Sequence, residues 1–242
     1  MHPAAAALLS HPAVWRGSDC AREEDALSTG HAALDGILPG GGWPGRSLVE
    51  IQLAREGIGE LRLMLPALAR LTQAGREVVW IAPPYRPYAP ALANAGIALA
   101  RLALVRCREP REALWAFEQA LRAPECGAAF AWLAERDERH LRRLAVAARD
   151  GRTLGILWRR PGVHARSASV PLRLGLAAQG SRLAVSVQKR RGSEVAAPVL
   201  IDLSSRCFLA PAQPRPLPRV PRTGARPSTM PLPSAASLRA VS

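Results

Sequence analysis

The stretch VEIQLAREGIGELRLML, Val49 to Leu65, decides how this chain folds. A β-branched segment around Val49 and Ile51 enters a bend at Gly57 and Gly59, then leaves through Leu61, Leu63 and Leu65 into a helical run. Strand, glycine bend and helix in that order form the frame on which nucleotide-binding proteins cradle phosphates with backbone N–H groups. The residues that do phosphate chemistry are missing. A loop of the form GxxxxGKS or GxxxxGKT needs a lysine and a hydroxyl after its second glycine, and here Gly59 is followed by Glu60 and Leu61. A carboxylate at that point repels a phosphate by roughly 4 kcal/mol at ~4 Å and an effective dielectric of ~20. The loop of Gly57, Gly59, Glu60 and Leu61 therefore reads as one kept for its shape, with Glu60 suited to a helix N-terminus.

Outward from that stretch, apolar runs alternate with helical periodicity. Glu60 to Gln73 repeats leucines at three-to-four spacing, with Pro66 expected to cost one hydrogen bond and to kink the helix unless its start lies later. Strands are expected at Glu77–Ala82, Leu102–Val105, Ala128–Leu133 and Thr153–Trp158, and helices at Tyr88–Ala95, Glu109–Arg122 and Asp137–Ala148. That alternation predicts an α/β fold with a mostly parallel central sheet flanked by helices. Leu172–Leu176, Arg182–Gln188 and Pro198–Leu203 follow without helices between them, which predicts an antiparallel edge. Before the core, Ser28 and Thr29 are placed to cap a turn holding Leu34 and Leu38. The division expected is an N-terminal arm over 1–27, with a short helix at Ala4–Leu9, an α/β domain over 28–204, and a tail over 205–242. From Ser204 onward the chain carries eight prolines, six arginines and no acid, a composition that does not bury enough apolar surface to fold alone. The tail is read as disordered, basic and proline-rich.

The 242 residues carry a net charge of +14 and a pI near 11.4, which points to an acidic partner, nucleic acid or protein. Lys189 is the single lysine among 33 basic residues, so none stands near residue 60 in sequence. Cys20, Cys107, Cys126 and Cys207 are scattered with no CxxC pair, and neither a disulfide framework nor a metal site is expected. The N-terminal apolar run is short and no stretch approaches the ~20 apolar residues of a membrane span, so a cytoplasmic location is expected. The acid that would hold Mg²⁺ at a strand end is also absent, because the AAFAWL strand ends in Leu133 and Ala134, with Glu135 one step late. Two independent losses argue against hydrolysis, and no catalytic residue, cofactor or enzymatic activity is expected.

Lys189, Arg190 and Arg191 form the densest basic cluster, and Arg142 to Gly192 holds twelve basic residues against one acid, Asp150. Together with Arg215, Arg219 and Arg222 of the tail they are the candidates for a partner or nucleic-acid contact. The proline-arginine run of the tail reads either as a solvating extension or as a polyproline docking segment. Trp43, Trp80, Trp132 and Trp158 are expected in the core; Trp15 and Trp115 are expected there too, although an exposed one would anchor an interface.

STGHAALDGIL followed by GGWPGRSLVEI resembles the opening of the RecA-like ATPase core, and VSVQKRRGSEVAAPVLIDL is similar to its end. The loop and helix EGIGELRLMLPALARL resemble those of the ImuA family and its relatives, the SulA cell-division inhibitors. The resemblance spans about residues 28 to 203. It implies a RecA-like P-loop NTPase fold with a degenerate Walker A loop. It further implies an accessory role in SOS-induced, error-prone translesion DNA synthesis and mutagenesis. The implied partners are an ImuB-like polymerase-related protein, an error-prone DNA polymerase and RecA, with direct or indirect DNA contact, no membrane, and a nucleoid-associated location in the complex. Two alternatives stand beside it: a SulA-like inhibitor binding an FtsZ-type subunit, and a DNA-dependent ATPase.

Overall fold

The structure is a computed structural model that describes residues 26–135, 137–159, 168–190 and 197–203. The expected helix at 4–9, the arm up to residue 25 and the tail from residue 204 lie outside the described residues, as do Arg191, Arg215, Arg219 and Arg222. All described residues belong to one compact unit within Met1–Ala212.

Ten strands and five α-helices are described. The strands are β1 (Ala26–Leu27), β2 (Trp43–Pro44), β3 (Leu48–Leu53), β4 (Glu77–Ile81), β5 (Leu102–Val105), β6 (Cys126–Trp132), β7 (Leu154–Arg159), β8 (Leu172–Gln179), β9 (Arg182–Lys189) and β10 (Val199–Asp202). The helices are α1 (Ala32–Asp35), α2 (Glu60–Gln73), α3 (Ala89–Asn94), α4 (Pro110–Arg122) and α5 (Glu138–Asp150). Eight strands make one mixed sheet in the order β10-β9-β8-β3-β7-β6-β4-β5, while β1 and β2 pair antiparallel by themselves. From β8 to β5 every pairing is parallel, and β8–β9 and β9–β10 are antiparallel.

The central strands are apolar on both faces because both faces are covered. On one face α2 and Leu92 of α3 pack against Val49, Ile51, Trp80, Phe130 and Trp158; on the other, α4 and α5 pack against Leu48, Ile81, Ala129 and Leu157. Trp80, Phe130, Trp132 and Trp158 form a continuous aromatic row across β4, β6 and β7, with ring centroids 5.9 to 6.5 Å apart. Pairs at that spacing contribute about 0.5–1.5 kcal/mol each beyond their buried area. Trp43, Trp80 and Trp158 are fully buried, Trp132 is half-buried, and Trp115 is 65% exposed, so it is not the core residue expected.

Helix ends follow local chemistry. Glu112 turns its carboxylate back to the N–H groups of Arg108 and Glu109, a capping box for α4, and Asp137 accepts from the Arg139 N–H to cap α5. Pro66 stays inside α2 and the helix continues through it. Its ring sits under Gly30, where a Cβ would lie 2.4 Å from the Pro66 Cβ, so only a glycine lets the preceding turn cross there. That turn is held as expected by its own polar groups: Ser28 Oγ and the Thr29 N–H both donate to the Asp35 carboxylate.

The expectation of a RecA-like P-loop NTPase fold is corrected. What stands is an α/β fold on a mixed sheet, and the bend between β3 and α2 is not a degenerate phosphate loop in waiting. A phosphate cradle needs backbone N–H groups free at the helix N-terminus. Here the Gly57 N–H donates to the Glu60 carboxylate at 3.2 Å, and the chain itself covers the bend.

Candidate functional site

The cover over the bend comes from the far edge of the sheet. Gly59 is left-handed at φ 94°, a conformation glycine adopts without strain, and a Cβ there would lie 2.7 Å from Leu203 Cδ1. Leu203 follows β10 and packs with Ile58 on the core under α2. At the entry to α2 the Glu60 carboxylate thus takes the Gly57 N–H, and Leu203 occupies the space beside Gly59. Gly57, Gly59, Glu60 and Leu61 follow one another through this bend into α2.

Beneath the bend the sheet carries an ion network that sequence reasoning missed. Glu50 on β3 is fully buried between Arg159 at the end of β7 and Arg173 on β8. Arg159 Nε donates to Glu50 Oε1 at 3.1 Å and Arg173 Nη2 to Oε2 at 3.2 Å. Burial holds the Arg159 guanidinium below its ordinary range, a shift that Glu50 opposes. Arg159 Nη1 also donates to the Glu135 carbonyl, tying the exit of β6 to the same group. The signal was present as a charged residue in the middle of the apolar run LVEIQL; its partners lie 109 and 123 residues away and have no local signature.

Glu135 stands just before the start of α5. Its carboxylate accepts from the Asp137 N–H at 2.7 Å and lies 2.9 Å from His140 Nδ1. Among the described residues no group of three His, Cys, Asp or Glu side chains is placed to hold a metal ion. The Cys126 thiol is buried and pushed up to about 12 by that burial, which removes it from thiolate chemistry.

Of the basic candidates, the structure describes two. Lys189 Nζ donates to the Ala168 carbonyl and Arg190 Nη1 to the Ile37 carbonyl at 2.9 Å, so both fasten backbone around β9. A second basic surface follows α5, where Arg139, Arg142, Arg143 and Arg149 are exposed; Arg139 pairs with Asp137 and Arg143 with Glu118.

The opposite edge of the sheet is open. Tyr85 and Tyr88, in the proline-rich loop after β4, are 70% and 72% exposed, and Leu104 on β5 is 45% exposed. Tyr85 is fixed by its hydroxyl, which donates to Glu56 at 2.9 Å, so its ring is held in place rather than free to fold back. Two clefts of about 340 and 310 Å³ meet here, sharing Ala82 and Cys107 as walls. Ala82 between them has φ 49°, a left-handed conformation that costs a non-glycine residue of order 1–3 kcal/mol and concentrates at functional sites. The sequence signal for this surface is the run APPYRPY that follows the strand expected at Glu77–Ala82.

Among the described residues no helix is long and apolar enough to cross a membrane. Residues 48–155 match the family model described as cell division inhibitor SulA, a span that includes the bend and four of the central strands. This match overturns the RecA-like P-loop assignment: the fold is that of the SulA family. The chain is 31% identical over 161 residues to protein ImuA of Caulobacter vibrioides, covering 64% of this chain and 66% of that protein, just under two thirds of its length. It is 32% identical over 122 residues to the cell division inhibitor SulA of Edwardsiella piscicida, covering 50% of this chain and 72% of that one. A SulA of Citrobacter koseri is 30% identical over 107 residues, or 63% of its length. The chain belongs to the ImuA/SulA-related family.

Proposed function

We propose that the chain is a non-catalytic adaptor in SOS-induced, error-prone translesion DNA synthesis, acting with an ImuB-like polymerase-related protein and an error-prone DNA polymerase. The observation that carries the absence of catalysis is the closed N-terminus of α2, where the Gly57 N–H is taken by Glu60 and Leu203 lies over Gly59. The likeness to ImuA supports the pathway, since it extends over 161 residues against 122 for the longer of the two SulA likenesses given above. In this reading residues 28–204 are the folded body, 1–27 an arm, and 205–242 a basic docking tail. Lys189, Arg190, Arg191, Arg215, Arg219 and Arg222 serve an acidic protein partner or DNA, and the complex works in the cytoplasm at the nucleoid. Tagged full-length chain recovered from DNA-damaged cells is expected to bring down a polymerase-related protein, and deletion is expected to lower damage-induced mutagenesis. Recovery of no polymerase-like protein, together with unchanged mutagenesis, would overturn the reading.

A second reading is division inhibition through an FtsZ-type subunit. It is favoured by the SulA family match over 48–155 and by a SulA relative of which 72% is covered. Overexpression separates the two: filamentation with unchanged damage-induced mutagenesis supports the inhibitor, and the converse supports the adaptor.

A further inference from the structure

The open edge of the sheet has a backbone pattern, a set of side chains and a charge that together describe an occupant. β5 ends the sheet, and no described strand pairs with its outer side. Backbone groups of successive strand residues point to opposite sides. Val105 offers its carbonyl to the Ala82 N–H at 2.9 Å, so Leu104 turns its own N–H and C=O outward. Edge strands are ordinarily blunted by lysine, proline or an inward charge; β5 reads LALV and has none of these within it.

Charge and apolar surface narrow the partner. From Val78 to Arg108 the chain holds Arg86, Arg101, Arg106 and Arg108 and no acid; of the acids around it, Glu56 accepts from Tyr85 and Glu112 from the Arg108 N–H, while Glu109 lies at the start of α4. Arg101 is paired with Glu77, which leaves Arg86, Arg106 and Arg108 exposed beside Tyr85 and Leu104. A second copy of this chain added edge to edge would set these arginines against their own kind. The segment from Ser204 onward, with six arginines and no acid, is repelled in the same way. A nucleic-acid strand satisfies the charge but not the outward N–H and C=O pair of Leu104, which match another β-strand.

We propose that β5 is a docking edge for an extended acidic peptide of a partner protein. The peptide adds as a strand along Leu104, sets apolar side chains against Tyr85, Tyr88 and Leu104, and places carboxylates on Arg86 and Arg106. Main-chain hydrogen bonds supply affinity and the side-chain contacts supply selectivity, as in other strand-addition complexes. This deepens the adaptor reading by naming its surface, and the binding test below does not depend on the pathway.

The probe is a labelled synthetic peptide of ten residues alternating valine and glutamate, titrated onto the full-length chain by fluorescence anisotropy. Its lysine counterpart and a single-stranded oligothymidine serve as controls. Leu104→Pro removes one outward donor while leaving the bonds to β4, a placement that edge strands accept. It is expected to keep the melting transition and to weaken the glutamate peptide at least tenfold. Arg106→Glu, an exposed position, is expected to lose the glutamate peptide to a similar degree and to gain the lysine peptide. That exchange decides the matter should Leu104→Pro unfold. The proposal is overturned by failure of the glutamate peptide to bind, or by equal binding to folded Leu104→Pro. It is equally overturned by oligothymidine displacing the peptide, or by a dimer of the wild-type chain in sedimentation that Leu104→Pro dissolves. If peptide binding holds but mutagenesis is unaffected by Arg106→Glu, the surface stands and the translesion reading fails.

Discussion

The ends of β3 and β4 lie at the same end of the parallel part of one mixed sheet, and they are finished in different ways. After β3 the bend is filled from within: Glu60 takes the Gly57 N–H, Leu203 lies beside Gly59, and Glu50 is shared by Arg159 and Arg173 below it. After β4 the chain leaves two tyrosines and a left-handed alanine at the surface, beside a strand edge with which no described strand pairs. The position that serves small ligands in related layouts is filled here by groups of the chain itself. The recognition surface proposed above lies at the edge instead.

The comparison breaks most visibly at its buried side. Glu50→Ala leaves two buried guanidinium groups without their shared counter-ion, and a loss of about 3–5 kcal/mol is expected. Urea denaturation checks it; a loss below ~1 kcal/mol would mean that the network is not what holds β3, β7 and β8 together.

The next effect sharpens the flank that links the two ends. α4 rises from the open end and is anchored by Glu118, which accepts from Arg122 at 3.1 Å and pairs with Arg143. Burial pushes this carboxyl up, and the two arginines outweigh it and hold it below its ordinary 4.5. A carboxyl with a lowered folded-state value contributes stability above its unfolded value and loses it as pH falls through the folded one. Glu118→Gln is expected to cost about 1–2 kcal/mol at pH 7, discounted because both arginines are half exposed. The difference should begin to shrink as pH falls below about 4.5, where the unfolded-state carboxyl takes up its proton, and vanish only once the folded-state carboxyl is protonated as well. Melting curves from pH 7 to pH 3 test this, and parallel curves throughout would refute it.

A smaller effect belongs to the seal itself. Glu60→Ala removes a carboxylate at a helix N-terminus and is expected to cost about 0.5–1 kcal/mol. It is also expected to leave Mg-ATP binding undetectable in calorimetry, because Leu203 still covers Gly59. Tight nucleotide binding in this variant would reopen the loop as a ligand site. Smallest of all, Tyr85→Ala combined with Tyr88→Ala is expected to change stability by no more than about 0.5 kcal/mol, as befits exposed side chains. A larger loss would make the open end part of the core and end the contrast.

Much of the closed end was legible before any coordinates. Glu60 after Gly59 announced a loop without the phosphate lysine, and Ser28 and Thr29 marked the turn before α1. The fold assignment went astray for a related reason: motifs at the start and end of the domain resemble one family, while the matching model over 48–155 is that of another. Leu203 as a lid was out of reach, since it arrives from β10 and is 144 residues from Gly59 in sequence. Trp115 was misjudged because α4 needs only Ala113, Phe117, Ala120 and Leu121 to fill its buried stripe, and residue 115 falls on the opposite side.

By itself the sequence determined the elements, through apolar period, proline and glycine position and capping chemistry, because these act over a few residues. It also determined what the loop after β3 lacks, because chemistry that needs lysine is absent wherever the chain has none. Only the tertiary structure decided which strand forms an edge and which charges share a buried carboxylate. Both depend on strand order, and strand order is set by packing between segments more than a hundred residues apart.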